Sequence, residues 1–207
     1  MTVPTDHIIL FTRYPAPGKA KTRLIPRLGP EKAALLQRRM TEMVLAQVDE
    51  LAANSSIELR VYYNGDSLET MEQWLGCRSF RRQVHGDLGE KMRLAFDQSF
   101  QDGAKRVIMV GADIPGLNQK ILKKAYVGLA NHDLVLGPAK DGGYYLIGLS
   151  KSAPFLFQRI NWGSARVLEQ TVNLAGNHNL SVTLLETLAD VDRPGDLDNF
   201  DYHSLLK

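Results

Sequence analysis

The first apolar run of the chain opens into a stretch of cations: Thr12-Arg13-Tyr14-Pro15-Ala16-Pro17-Gly18-Lys19-Ala20-Lys21-Thr22-Arg23-Leu24. From His7 to Pro30 there are five basic residues, Arg13, Lys19, Lys21, Arg23 and Arg27, and no acid. Arginine offers a planar fork that fits phosphate oxygens two at a time, and lysine a mobile point charge. Two prolines and Gly18 constrain the path, so exposed backbone N–H groups near Gly18 and Thr22 can converge on an anion. At the end of a buried strand these residues describe a clamp for a di- or triphosphate. Two other phosphate loops are excluded. A P-loop needs G-x-x-x-x-G-K-[ST], but Gly18-Lys19 is followed by Ala20 and preceded at the glycine position by Arg13; the Rossmann G-x-G-x-x-G is also missing from this loop.

Carboxylates follow later apolar runs. Val107–Val110 leads into Gly111-Ala112-Asp113-Ile114-Pro115, which puts Asp113 where Mg²⁺ or Mn²⁺ could join a protein carboxylate to phosphate oxygens. The competing role for Asp113 is a turn or helix cap. Leu134–Leu136 leads into Gly137-Pro138-Ala139-Lys140-Asp141-Gly142-Gly143, a hairpin-turn signal whose glycines also admit a ligand close to the backbone. In Asp190-Val191-Asp192-Arg193-Pro194, Asp192 is expected to cap a helix with Pro194 just inside it, which leaves Asp190 as the second metal ligand. Gly86-Asp87-Leu88-Gly89 opens a helix whose amide terminus could meet a base or phosphate, and the neighbouring His85 is read as incidental.

These positions depend on the elements that carry them. Ile8–Phe11, Ile57–Tyr63, Val107–Val110, Leu134–Leu136, Tyr144–Leu149 and Val182–Leu185 read as strands. Residues 31–53, 67–75, 88–100, 119–129, 164–175 and 194–206 read as helices. Alternation of the two implies an α/β domain with a mostly parallel sheet covered on both faces, and ligands at the carboxyl ends of its strands. With no long linker or repeat, residues 1–207 are expected to form one domain.

Composition narrows the class. The net charge of +2 gives no general polyanion-binding surface, so no nucleic-acid partner is expected. The N-terminal apolar run is too short for a signal peptide or a membrane span, and a cytoplasmic location is the default. A single cysteine, Cys77, excludes an intrachain disulfide or a cysteine-rich metal cluster and is expected to be partly buried.

Taken in order, F-x-R-x-P-x-P-G-x-x-K-T-R-L (Phe11 to Leu24), G-D-L-G-x-x-M (Gly86 to Met92), G-x-D-x-P (Gly111 to Pro115), D-G-G-Y-Y (Asp141 to Tyr145), W-x-S (Trp162 to Ser164) and D-V-D-x-P-x-D-L (Asp190 to Leu197) resemble a bacterial glycosyltransferase-A-type family. Its members are called nucleotide-diphospho-sugar transferases or glycosyltransferases. More distantly the set is similar to 2-phospholactate guanylyltransferase and molybdenum cofactor guanylyltransferase. The resemblance implies the nucleotide-diphospho-sugar transferase fold, with Arg13, Lys21 and Arg23 on nucleotide phosphates, Asp113 on the metal, and Gly86–Gly89 near the base or ribose. Prolines 15 and 17 stand where the guanylyltransferase loop has glycines. Asp113-Ile114-Pro115 supplies one acid where many glycosyltransferases use D-x-D.

The expected activity is nucleotidyl transfer from a nucleoside triphosphate to a phosphorylated small-molecule acceptor, with Lys21, Arg23 and Asp113 catalytic. The expected nucleotide contacts are Arg13, Gly18, Lys21, Thr22, Arg23, Gly86, Asp87, Gly89, Asp141, Gly142 and Gly143. Glycosyl transfer from a nucleotide sugar, and nucleotide binding without turnover, are the alternatives.

Overall fold

The computed structural model describes residues 5–53 and 55–206. Its centre is a seven-stranded sheet: β1 (Asp6–Arg13), β2 (Ile57–Asn64), β3 (Ser79–Arg82), β4 (Val107–Gly111), β5 (Leu134–Pro138), β6 (Tyr144–Leu149) and β7 (Val182–Leu184), in the spatial order β3-β2-β1-β4-β6-β5-β7. β1 pairs in parallel with β2 and β4, β2 with β3 and β5 with β7, while β6 runs antiparallel to both β4 and β5. The mostly parallel arrangement is the one expected, and the Asp141-Gly142-Gly143 turn is the hairpin that reverses β6. Register matters for the site. Phe11 stands level with both Tyr62 and Gly111, so β4 ends at that level while β1 and β2 run two residues further and end together at Arg13 and Asn64.

Among the described residues six α-helices surround the sheet: α1 (Ile25–Leu28), α2 (Pro30–Ala53), α3 (Leu68–Leu75), α4 (Leu88–Gln101), α5 (Gln119–Leu129) and α6 (Val167–Asn177). Asp87 starts α4 by accepting from the Glu90 N–H at 2.8 Å, and Asn118 starts α5 by accepting from the Ile121 N–H at 3.2 Å. Because β1 and β4 carry continuous apolar runs, both sheet faces are buried. Ile8, Leu10, Ile108 and Val110 pack with α2, α3 and α5 on one side. Ile9, Met109 and Ile147 pack with α4, α6 and the 3₁₀ turn Pro154–Phe157 on the other. Each fully buried side chain of this size contributes about 1.5–3 kcal/mol by transfer. A third cluster, in which Val191 and Leu197 pack on Leu24, Leu36 and Met40, holds the C-terminal segment beside the start of α2.

Three expectations change. β3 is additional: in Ser79-Phe80-Arg81-Arg82 only Phe80 is buried, so the edge strand lacks an alternating pattern. The helix expected over 194–206 is two 3₁₀ turns, Pro194–Asn199 and His203–Leu206. Cys77 is exposed rather than partly buried. Among the described residues no helix is long and apolar enough to cross a membrane.

Candidate functional site

The carboxyl ends of the strands border a crevice of about 660 Å³. The loop after β1 forms one bank. Gly18 adopts φ +76°, and Ala20 is buried at 1% exposure, so the loop is tied down. Lys21 follows at φ 46° and ψ 45°, a left-handed conformation that costs a non-glycine residue roughly 1–2 kcal/mol. That geometry aims its ammonium inward. Lys21 Nζ donates to Asp113 Oδ2 at 2.9 Å and to Asp192 Oδ1 at 3.4 Å, with its side chain only 5% exposed. Burial pulls the Lys21 pKa down, but attraction to Asp113 and Asp192 outweighs it and leaves the value raised. Arg23 donates to the other Asp192 oxygen. Burial raises the Asp192 pKa, the two cations more than reverse this, and the carboxyl ends below its ordinary value.

Asp192 therefore does not cap a helix, contrary to expectation. Arg193 occupies the cap position, and Asp196 accepts from the Asp192 and Arg193 N–H groups at 3.0 and 2.6 Å. The signal was available in the sequence: Asp190 and Asp192 flank the buried Val191, and residues two apart in extended chain share a side. The Val191 N–H donates to the Asp113 carbonyl at 3.1 Å, which fixes this segment alongside the end of β4.

Asp190 lines the opposite bank with Asp141. Its carboxyl is pushed up to about 6, first by burial and then by Asp141, with a smaller push from Asp113. Asp141 Oδ1 accepts from the Gly143 N–H at 2.9 Å, the bond that shapes the hairpin.

Of the residues singled out by sequence, Arg13, Lys21, Thr22, Arg23, Asp113, Asp141, Gly143 and Asp190 line this one crevice. Gly18 shapes the loop from outside the lining. Gly142, at φ +90°, lies against the segment just before α6, where a Cβ would meet the Ala165 carbonyl oxygen at 2.2 Å. Asp87 spends its carboxylate on the α4 cap. Gly89 makes room for Trp162, whose Nε1 would sit 2.4 Å from an added Cβ. Gly86 borders a smaller hollow beside the crevice together with the exposed His85 and Arg82 and the half-buried Lys91. Gln83, not anticipated, lines both spaces and donates to the Tyr62 and Thr12 carbonyls at 3.1 and 3.3 Å, joining the ends of β1 and β2.

The charges in the crevice are paired on one side only: Asp113 and Asp192 bind Lys21 and Arg23, while Asp141 and Asp190 have no salt-bridge partner among the described residues. Its five cations, Arg13, Lys19, Lys21, Arg23 and Lys91, come from the β1 loop and the start of α4. Its four acids, Asp113, Asp141, Asp190 and Asp192, follow β4, β5 and β7. Among the described residues no group of three or more His, Cys, Asp or Glu side chains is placed to hold a metal ion. The unneutralised charge at Asp190 and Asp141, close to Asp113, nonetheless fits Mg²⁺ or Mn²⁺. Such ions take one or two carboxylates and complete their shell with water and substrate phosphate.

A family model described as "Uncharacterized protein conserved in bacteria (DUF2064)" matches residues 47–164. No curated protein sequence matches the chain. Among solved structures, the "putative nucleotide-diphospho-sugar transferase from Desulfovibrio desulfuricans G20" matches with a TM-score of 0.87 and 35% identity, over 99% of this chain and 94% of that one. Rv0371c from Mycobacterium tuberculosis H37Rv, in complex with manganese, matches with a TM-score of 0.56 and 16% identity over 99% of each chain. A CMP:2-keto-3-deoxy-manno-octonic acid synthetase complexed with CTP matches with a TM-score of 0.55 and 12% identity, over 94% of this chain and 96% of that one. The last two share the fold alone. Together these likenesses establish the nucleotide-diphospho-sugar transferase-like fold.

Proposed function

The chain belongs to the bacterial DUF2064 family, and on that premise we propose that it is a transferase that grips a nucleotide by its phosphates. The observation that carries this is Lys21, held in a strained backbone conformation with its buried ammonium at the meeting point of the β1 and β4 ends. Arg13 and Arg23 stand beside it on the same loop. The three cations lie where an open α/β sheet receives ligands, and they match the charge that develops on a phosphate leaving group.

The favoured reaction is nucleotidyl transfer from a nucleoside triphosphate. Arg13, Lys21 and Arg23 neutralise the departing pyrophosphate, and Gln83 and the start of α4 border the side on which the nucleoside lies. Asp113 with Asp190 would hold Mg²⁺ or Mn²⁺, and such an ion supplies Lewis-acid polarisation of phosphate oxygens. Positioning and charge neutralisation then suffice, in keeping with a crevice with no histidine among the described residues of its lining.

A second reading has its own support: the relative at 35% identity carries the description nucleotide-diphospho-sugar transferase. In that reaction the same cations neutralise a nucleoside diphosphate. Titration calorimetry of nucleoside triphosphates and nucleotide sugars, each with Mn²⁺, decides between them. Triphosphates are expected to bind more tightly; tighter binding of a nucleotide sugar favours glycosyl transfer, and binding of neither overturns both.

A further inference from the structure

From the two crevice acids that no cation pairs, Asp141 and Asp190, we infer that the acceptor is an uncharged, hydroxyl-rich molecule of the sugar or polyol class. This rests on the nucleotide-transferase reading and departs from the phosphorylated acceptor that the sequence suggests. The order of strands across the sheet divides the crevice at Asp113. On the β1 and β2 side lie all the cations, and there the phosphates and nucleoside belong. On the β6 and β5 side the lining comes from the hairpin after β5 and the loop before α6, including Asp141, Tyr144, Trp162 and Ser164.

Among the described residues this second half has no lysine or arginine in its lining. Asp141 and Asp190 have no salt-bridge partner among the described residues, whereas Asp113 and Asp192 are already paired with Lys21 and Arg23. Even with an ion at Asp113 and Asp190, the exposed Asp141 would face an acceptor phosphate as a like charge, and that repulsion disfavours it. A hydroxyl suits it instead, because an ionised carboxylate only accepts hydrogen bonds. Ser164 adds a group that can donate or accept. Tyr144 and Trp162 meet edge to face, ring centroids 6.5 Å apart, and give an apolar surface against which the C–H face of a ring can lie. The half-site is also fixed in place. The Leu168 N–H donates to the Gly142 carbonyl at 3.0 Å, Gly142 abuts Ala165, and Gly89 leaves no room between α4 and Trp162.

In the reaction an acceptor hydroxyl oxygen forms a bond to the α-phosphorus. The bond from that phosphorus to the bridging oxygen of the β-phosphate breaks, pyrophosphate leaves with the electron pair, and the hydroxyl proton passes to water.

The test compares matched pairs on the full chain: myo-inositol with inositol 1-phosphate, glucose with glucose 1-phosphate, and glycerol with glycerol 3-phosphate. Each is offered with the four nucleoside triphosphates and Mn²⁺, and binding is followed by ligand-observed NMR alongside pyrophosphate release. The neutral member of at least one pair is expected to bind and react in preference to its phosphorylated partner. Asp141→Asn is expected to weaken that binding about tenfold or more, the scale of a hydrogen bond to a charged group. Asp141→Lys is expected to shift preference to the phosphorylated member, with circular dichroism melting as the check on folding. Preference for phosphorylated members in the wild type, no binding of any neutral member while triphosphates bind, or no effect of both Asp141 variants overturns the acceptor class and leaves the nucleotide reading standing. Neutral members that bind while no triphosphate does overturn the nucleotide reading instead.

Discussion

Lys21 Nζ lies 2.9 Å from Asp113 Oδ2, so the cation proposed to grip the phosphates and the carboxylate proposed to hold the metal are partners of each other. The ammonium is buried, and Asp192 is its second acceptor. A buried charge that keeps one partner loses little; one that loses both is left uncompensated.

The stability of this cluster follows from that. Asp113→Asn keeps an accepting oxygen and leaves Asp192 in place, so it is expected to cost on the order of 1 kcal/mol. Asp113→Ala combined with Asp192→Ala strands Lys21 and is expected to cost about 3–5 kcal/mol. Urea unfolding of the two single alanine variants and the double variant gives the coupling. Additive single effects would show that Lys21 does not depend on the pair.

Ligand binding should expose the same competition. In nucleotide-free protein Lys21 neutralises Asp113, and a divalent ion must displace it. Lys21→Met is therefore expected to raise Mn²⁺ affinity by about tenfold, equivalent to roughly 1.4 kcal/mol. It should also erode the preference for triphosphates over nucleotide sugars. Calorimetry at fixed ionic strength measures both, since salt screens exposed charges. Unchanged Mn²⁺ affinity would mean that the metal does not use Asp113.

Gly89 is a close approach rather than a flexible joint. A Cβ there would sit 2.4 Å from Trp162 Nε1 and 2.6 Å from the Phe157 carbonyl oxygen. Gly89→Ala gains helix propensity of up to about 1 kcal/mol but must displace a ring and a backbone group, so a net loss of about 1–3 kcal/mol is expected. Trp162 fluorescence should shift in the folded protein. A variant as stable as the parent, with unchanged fluorescence, would remove Trp162 as a fixed wall of the crevice.

Acid sensitivity should come in part from the far edge of the sheet. Asp133 is held down to about 2, first by Lys151, then by the Ser181 N–H. Since its folded pKa lies below the ordinary 3.8, its contribution is complete above about pH 4 and disappears as pH falls toward 2. Allowing for solvent screening, about 1 kcal/mol is at stake. Asp133→Asn should be less stable than the parent by that amount at neutral pH and equal to it near the acid limit. Urea midpoints across pH 7 to about 2.5 test this; a difference independent of pH would mean the carboxylate's charge plays no part.

The sequence alone determined what local pattern can encode. Continuous apolar runs marked β1 and β4 as strands buried on both faces, and the residues after them as the edge where ligands bind. The five cations of the β1 loop were legible because they fall in one short stretch of chain, Arg13 to Arg27, with no acid among them. β3 was not, because an edge strand with one buried side chain has no period to read. The four acids of the crevice were legible only one at a time. They lie at positions 113, 141, 190 and 192, and it is the sheet order, together with Val191 and Leu197 packing on Leu24 and Met40, that brings them opposite the cations. Asp192 shows the limit most clearly. Its cap role was the better local choice, since Pro194 follows it, but burial beside Lys21 and Arg23 gave its carboxylate stronger partners than a helix terminus could. A short-range rule sees the backbone N–H groups within a turn; a charge 171 residues away in the chain enters only when the fold closes.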